Sequence, residues 1–254
     1  MSNANGNHDG AVCVLREDPD LCASVPADER SLLERASCAR VGLLRPGNLE
    51  IGDELDSADS MGLLLLEGFI GGFVKVEGRC SLELLGAGDI SQPWVRGHPN
   101  VTVRREVDWR VLAPTRVAIL DADFMRRVAA WPQIAAALMH RAILRARGLT
   151  LLLAVNAVPR VDERVLLLLW HLADRWGRVT RDGVLLELPL TQEQLSMMIG
   201  AQRPSVTTAL SQLRAEERIE PVSRGVWLLR SPAPGRLDEL KVQTGLPRLA
   251  LPEA

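Results

Sequence analysis

The chain has 254 residues, 47% of them hydrophobic and 24% charged, with a formal net charge of −2. These totals fit an ordinary globular protein with room for one large domain or two modest ones. They exclude a surface that coats nucleic acid or membrane through bulk charge, but not a sequence-specific DNA binder, which needs only a local basic patch.

No apolar run reaches a membrane span: "MGLLLLEGFIGGFV" and "LTLLLAVNAV" are too short and interrupted. The start, "MSNANGNHDGAVCVLRED", lacks the basic-then-apolar plan of a signal peptide, which predicts a cytoplasmic protein. Its four cysteines, Cys13, Cys22, Cys38 and Cys80, are then expected as thiols.

Residues 1–24 begin polar and rich in Asn and Gly, and are expected to be a flexible N-terminal segment. From about Ala39 to Leu120 short apolar runs alternate with turn residues, as in "ARVGLLRPGNLEIG", "CSLELLGAGDI" and "TRVAIL". That texture predicts an antiparallel sandwich or barrel, assigned to residues 25–122. Residues 123–157 change character, with Ala, Leu, Ile, Met and Arg dominant. Ile134, Leu138, Arg141, Ile143, Arg145 and Leu149 fit a helix near thirty residues, about 45 Å long. Such a helix outruns one small barrel, so its apolar face is expected to meet a second copy of the chain; packing within the monomer is the alternative.

Pro159 ends that helix, and residues 158–231 form a third region. It holds an apolar helix, "VDERVLLLLWHLADRWG", a connecting stretch, "VTRDGVLLELPL", two short helices and a hairpin, "RIEPVSRGVWLLR". Thr191 and Gln194 have the spacing of a capping box, and Gly200 stands where a helix ends in a left-handed residue. Pro204 falls in the first turn of the next helix, where its missing N–H is harmless. In that helix Val206, Ala209, Leu210 and Leu213 make an apolar stripe. Pro204, Ser205, Thr207, Thr208, Ser211 and Gln212 cover the rest without one carboxylate. Hydroxyls and an amide there suit base edges and phosphates, and Arg203 at the helix start suits guanine or phosphate. A merely solvated face more often carries mixed Glu and Lys. Residues 232–254, with "PAPG" and "LPRLALPE", read as a loose tail.

"LTQEQLSMMIGAQRPSVTTALSQLRAEERIE" resembles the winged helix-turn-helix of the Crp–Fnr superfamily of bacterial transcription regulators. The likeness rests on the Leu-Thr start, Leu195, Ile199-Gly200, Arg203, Val206, the Leu210/Leu213 pair and an Ile219-led wing. Over roughly Val25 to Arg230 the chain is similar to the rest of that plan. The resemblance implies an α+β protein with an N-terminal antiparallel β-roll like a cyclic-nucleotide-binding domain. A long dimerisation helix and a C-terminal winged helix-turn-helix complete it. It also implies a homodimeric transcription regulator on a palindromic site in double-stranded DNA, possessing an RNA polymerase contact if it activates.

The positions expected at DNA are Thr191, Gln202, Arg203, Pro204, Ser205, Thr207, Thr208, Gln212 and Arg224, with Arg218 and Arg230 also on the wing; of these the resemblance implies Arg203, Ser205 and Thr208. Pro204 replaces a glutamate and Thr208 a second arginine of many members, so a different half-site is expected. "LLGAGDI" matches the family's Gly-Asp turn, which makes Gly88, Asp89, Arg96 and Arg104 the effector-site candidates. Yet no Gly-Glu follows that turn and Arg96-Gly97 is not the family pairing, so a cyclic nucleotide is not expected.

Cysteine gaps of 8, 15 and 41 residues do not suit an iron–sulfur cluster. Lone His98 and His140 do not announce haem, and no metal-spaced cluster, phosphate loop or nucleophile elbow suggests an enzyme. Trp94 and Trp109 read as pocket lining or as core. The effector stays unidentified, and the competing reading is a protein-interaction module with a ligand-free β-roll.

Overall fold

In the computed structural model, residues 10–49, 59–94 and 102–230 are described. By internal contacts they fall into two units, one of Met1–Ala157 with Pro189–Gln202 and one of Val158–Leu188 with Arg203–Ala254. The tail expected at 232–254, and the candidates Arg96 and His98, lie outside the described residues.

The first unit opens with β1 (Ala11–Cys13), α1 (Val14–Glu17), a 3₁₀ turn (Pro19–Cys22) and α2 (Arg30–Ala36). Residues 10–22 were expected to be flexible; instead Val14, Leu15 and Leu21 are buried in a core cluster. The short apolar run after the polar start supplies that anchoring, at positions too few to show a period.

Strands β2 (Cys38–Leu44), β3 (Gly47–Asn48), β4 (Gly62–Glu67), β5 (Ile70–Val76), β6 (Arg79–Leu85), β7 (Ile90–Ser91), β8 (Glu106–Val111) and β9 (Thr115–Leu120) follow. They form two antiparallel sheets, ordered β1-β2-β9-β4-β7 and β3-β8-β5-β6. The expected antiparallel roll is therefore present.

Side chains alternate between the faces of a strand, and here each face of β4 and β9 finds a partner. Leu63, Leu65, Val117 and Ile119 join Ile70, Leu85 and Val111 of the second sheet. Leu64, Ala118 and Leu120 point the other way, among helical residues. Burial on both faces explains why "GLLLLE" and "VAIL" are unbroken apolar runs rather than alternating ones. Trp94 and Trp109 pack against the inter-sheet cluster, partly buried.

The expected single helix is two: α3 (Ala122–Val128) and α4 (Pro132–Asn156), the latter 25 residues. Pro132 sits at the first position of α4, where it starts a helix without losing a hydrogen bond. The length of α4 is therefore about 37 Å rather than 45 Å. Asp121 caps α3, its carboxylate accepting from the Phe124 N–H at 2.8 Å.

On α4, Ile134 and Leu138 are buried, Arg141, Arg145, Gly148 and Leu152 are half-buried, and Val155 is buried. This four-three spacing faces the sheet and helices of its own unit. Ile143 and Leu149, expected on the same face, are exposed instead.

Helix α6 (Gln192–Met198) also groups with this first unit, where it meets β6. The sequence had placed it with everything from 158 to 231. The second unit is α5 (Val161–Trp176) packed on α7 (Arg203–Ala215), with a sheet ordered β10-β11-β13-β12. Its strands are β10 (Arg178–Val179), β11 (Val184–Glu187), β12 (Ile219–Ser223) and β13 (Val226–Leu229). The stretch read as a connection thus supplies β10 and β11 to the wing's sheet. Val165, Leu168, Leu169 and Leu172 are fully or almost fully buried, as helical spacing on one face of α5 requires.

Candidate nucleic-acid interface

The helix ends around the candidate site follow from local chemistry. The Thr191 Oγ1 accepts from the Gln194 N–H at 3.2 Å, and the Gln194 Oε1 accepts from the Thr191 N–H at 2.8 Å. Thr191 is thereby committed to capping α6. After α6, Gly200 takes φ 61°, a conformation that costs a residue with a Cβ but not glycine. Arg203 then begins α7.

Val206, Ala209, Leu210 and Leu213 of α7 are buried, which fixes the roll of the helix in its unit. Arg203, Pro204, Thr207, Thr208, Ser211 and Gln212 are consequently exposed, and Ser205 is half-buried. The guanidinium of Arg203 forms no ion pair among the described residues. Three hydroxyls donate back along the helix: Thr207 to the Arg203 carbonyl at 3.1 Å, Thr208 to Pro204 at 3.2 Å and Ser211 to Thr207 at 3.0 Å. With the hydrogens so placed, the oxygen lone pairs of Thr208 and Ser211 are turned outward and suit an exocyclic base amine. Gln212 is less available, because its Nε2 donates to the Glu216 Oε1 at 2.9 Å.

Beyond α7 the wing tip is Arg224-Gly225, bracketed by the Ser223–Val226 strand pair. Gly225 has φ 77°, and a Cβ there would stand 2.5 Å from the Leu188 carbonyl oxygen. The Leu188 N–H donates to the Gly225 carbonyl at 2.7 Å, fastening the tip to the end of β11. Arg224 is exposed on that fixed turn. Arg218 is half-buried, and Arg230 is held by Glu220 on the neighbouring strand, which raises its guanidinium above the ordinary value.

The effector candidates fare differently. Gly88 takes φ 85°, and its N–H donates to the Leu65 carbonyl at 2.9 Å. Asp89, 3% exposed, accepts from the Gly86 N–H at 2.9 Å and so closes its own turn. Arg104 is exposed, and no contact among the described residues joins it to that turn.

What reaches the turn is α4, through two arginines the sequence had counted only as helix formers. The Arg145 Nε and Nη2 donate to Glu83 at 2.6 and 2.7 Å, and its Nη1 donates to the Ile90 carbonyl at 3.0 Å. Burial opposes the Arg145 charge, but Glu83 outweighs it and holds the guanidinium above its usual value. The Arg141 Nη2 donates to the Asp18 carboxylate at 2.7 and 2.9 Å. Burial pushes the Asp18 carboxyl up, against the pull of Arg141.

Glu83→Gln should therefore cost about 2–3 kcal/mol in urea unfolding, less than the ~3–5 of a fully buried pair because both groups keep some solvent contact. The double variant Glu83→Gln with Arg145→Met should recover part of the loss. An unchanged urea midpoint for Glu83→Gln would leave that bridge without a structural role.

Among the described residues, no three His, Cys, Asp or Glu side chains gather as a metal site. His140 lies exposed on α4. No helix among the described residues is long and apolar enough to cross a membrane.

Residues 163–237 match the family model of the Crp-like helix-turn-helix domain. No curated protein matches the chain. Among solved structures, a mutant of CooA from Carboxydothermus hydrogenoformans superposes with a TM-score of 0.60 at 17% identity, over 93% of this chain and 97% of that one. FixK2 from Bradyrhizobium japonicum gives 0.57 at 18%, over 76% and 93%. A CRP-family transcriptional regulator from Thermus thermophilus gives 0.51 at 19%, over 80% and 95%. At these identities the likeness concerns the fold alone.

Proposed function

We propose that this chain, whose residues 163–237 carry a domain of the Crp-like helix-turn-helix family, is a DNA-binding transcription regulator. It acts as a homodimer on a palindromic site, in the cytoplasm, with an unidentified effector governing it from the β-roll. RNA polymerase is a further partner if it activates.

The observation that carries the reading is the face of α7. Its apolar stripe is sealed inside the unit, and the exposed remainder starts at an uncommitted arginine and contains no carboxylate. Arg203 at the helix N-terminus suits a grip on guanine or a phosphate, and the Thr208 and Ser211 oxygens behind it suit acceptance from base amines.

Dimerisation is supported by the outer side of α4. Met139, Ile143, Ala146, Thr150 and Leu153 are all exposed and recur at intervals of four and three. That spacing is the seam of a two-stranded coiled coil, here without a partner in a single chain. Its exposed leucine, isoleucine and methionine make an apolar strip that a monomer gains nothing by wetting.

The test is selection from random duplex DNA with the purified full chain, followed by affinity measurements across a salt series. A regulator enriches an inverted repeat and loses affinity steeply with salt; a protein-interaction module enriches nothing and shows no salt slope.

The wing supplies a second expectation. Arg224→Ala removes one exposed cation from the tip, so it should weaken binding almost equally on every sequence. It should also reduce the slope of log affinity against log salt by about 1. Arg230, already held by Glu220, should contribute less when replaced. An unchanged slope for Arg224→Ala would remove the wing tip from the phosphate contacts.

A further inference from the structure

Two of the four cysteines stand opposite each other. Cys13 ends β1, Cys38 begins β2, and they are direct cross-strand partners in the antiparallel ladder. The next pair inward is hydrogen-bonded, since the Val14 N–H donates to the Ser37 carbonyl at 3.0 Å. On the other side, the Val41 N–H donates to the Gly10 carbonyl at 3.2 Å, in the same phase of the ladder. Cys13 and Cys38 therefore occupy a non-hydrogen-bonded position, where facing Cα atoms approach to about 4.5 Å.

That separation lies at the short edge of the ~4.4–6.8 Å that a disulfide spans. The thiols converge as well: the Cys13 Sγ donates to the Glu34 carbonyl at 3.4 Å, and the Cys38 Sγ donates weakly to the same oxygen at 3.9 Å. The Arg16 guanidinium is held by the Glu34 carboxylate at 2.9 Å, on the residue whose carbonyl both thiols approach. Cys38 is exposed and Cys13 half-buried, and both are free thiols.

We propose that Cys13 and Cys38 form a reversible disulfide, making this corner of the roll a peroxide-reactive modification site. The exposed Cys38 thiolate attacks one oxygen of hydrogen peroxide. The O–O bond breaks, the leaving hydroxide takes a proton to become water, and the Cys38 sulfur is oxidised to a sulfenic acid. The Cys13 sulfur then attacks that of Cys38. The S–O bond breaks, the S–S bond forms, and the Cys13 proton leaves with the hydroxide as a second water. Two thiols and one peroxide thus give one disulfide and two waters. Cys38 is exposed, and exposed disulfides are the readily reduced ones, so the site is a labile one rather than a permanent staple.

The test exposes the reduced full-length chain to hydrogen peroxide, alkylates the remaining thiols and maps the peptides by mass spectrometry. Two of the four thiols should disappear together into one peptide pair joining Cys13 to Cys38, and dithiothreitol should restore both. Cys38→Ser, at an exposed position, should abolish loss of the Cys13 thiol, whereas Cys22→Ser and Cys80→Ser should leave the linked pair unchanged. Overoxidation of Cys38 while Cys13 stays fully alkylated would overturn the proposal. So would linkage of either residue to another cysteine or to another chain.

Discussion

Ile143→Asp combined with Leu153→Asp is expected to leave the protein monomeric at micromolar concentration and to lower its affinity for a palindromic site by at least about 100-fold. Both side chains lie on the outer seam of α4, 44% and 71% exposed in the single chain. Aspartates on both copies would place like charges in an interface that apolar contact is meant to close, and the penalty appears once per chain. The loss on DNA exceeds that of any single contact because each half of the dimer holds the other at high effective concentration over its half-site; uncoupling forfeits that advantage, commonly 10²–10⁴-fold. The inner side of α4, with Ile134, Leu138 and the Arg145–Glu83 bridge, is untouched. The monomer should therefore keep its circular dichroism spectrum. Sedimentation and gel-shift measurements check the two halves of the expectation. A variant that remained dimeric would move the interface off α4.

Arg203→Ala is the second large effect. A two-pronged arginine contact to guanine contributes about 1–3 kcal/mol of discrimination, so affinity for the selected site should fall about ten- to a hundredfold. Binding to unrelated duplexes should change much less, and dimerisation not at all. This side chain is exposed and forms no ion pair among the described residues, so the fold should be indifferent to its removal. Equal loss on all sequences would instead make Arg203 a phosphate contact, and no loss would remove it from the interface. Thr208→Ala makes a milder comparison, because its hydroxyl already donates to the Pro204 carbonyl and only its acceptor capacity is removed.

Helix α7 was legible in the sequence because every feature that shapes it is local. The capping box of Thr191 and Gln194, the left-handed Gly200, the early Pro204 and the Val206–Leu213 stripe lie within about two dozen residues, and each acts on its own neighbours. The wing was legible for the same reason, through the Arg224-Gly225 turn. β11 was not. "VLLELPL" is a short apolar run that strand and connection share equally, and its place is set by pairing with β13 far along the chain.

The arginine bridges of α4 were hidden by distance of another kind. Arg141 and Arg145 occupy helical positions that usually face solvent, and their partners Asp18 and Glu83 lie 123 and 62 residues away. No periodicity within one element links residues so far apart. The same separation concealed the N-terminal segment, whose order depends on Leu21 and Asp18 meeting elements beyond residue 120. The Gly-Asp turn shows the converse limit. The motif marks the turn, but that the Asp89 carboxylate is buried and bonded to the Gly86 N–H depends on packing, which a motif does not encode. For the cysteines, spacing along the chain pointed away from a cluster, while strand register brought Cys13 to Cys38.

The most direct test of the account is the affinity of the full-length protein for its selected duplex, measured over a salt series beside Arg203→Ala. A symmetric DNA-binding dimer should select an inverted repeat with half-sites about 10 base pairs apart, lose affinity steeply as salt rises, and weaken about ten- to hundredfold on that site alone in the variant. Failure to bind any duplex at low ionic strength, or identical curves for the two proteins, would contradict that expectation.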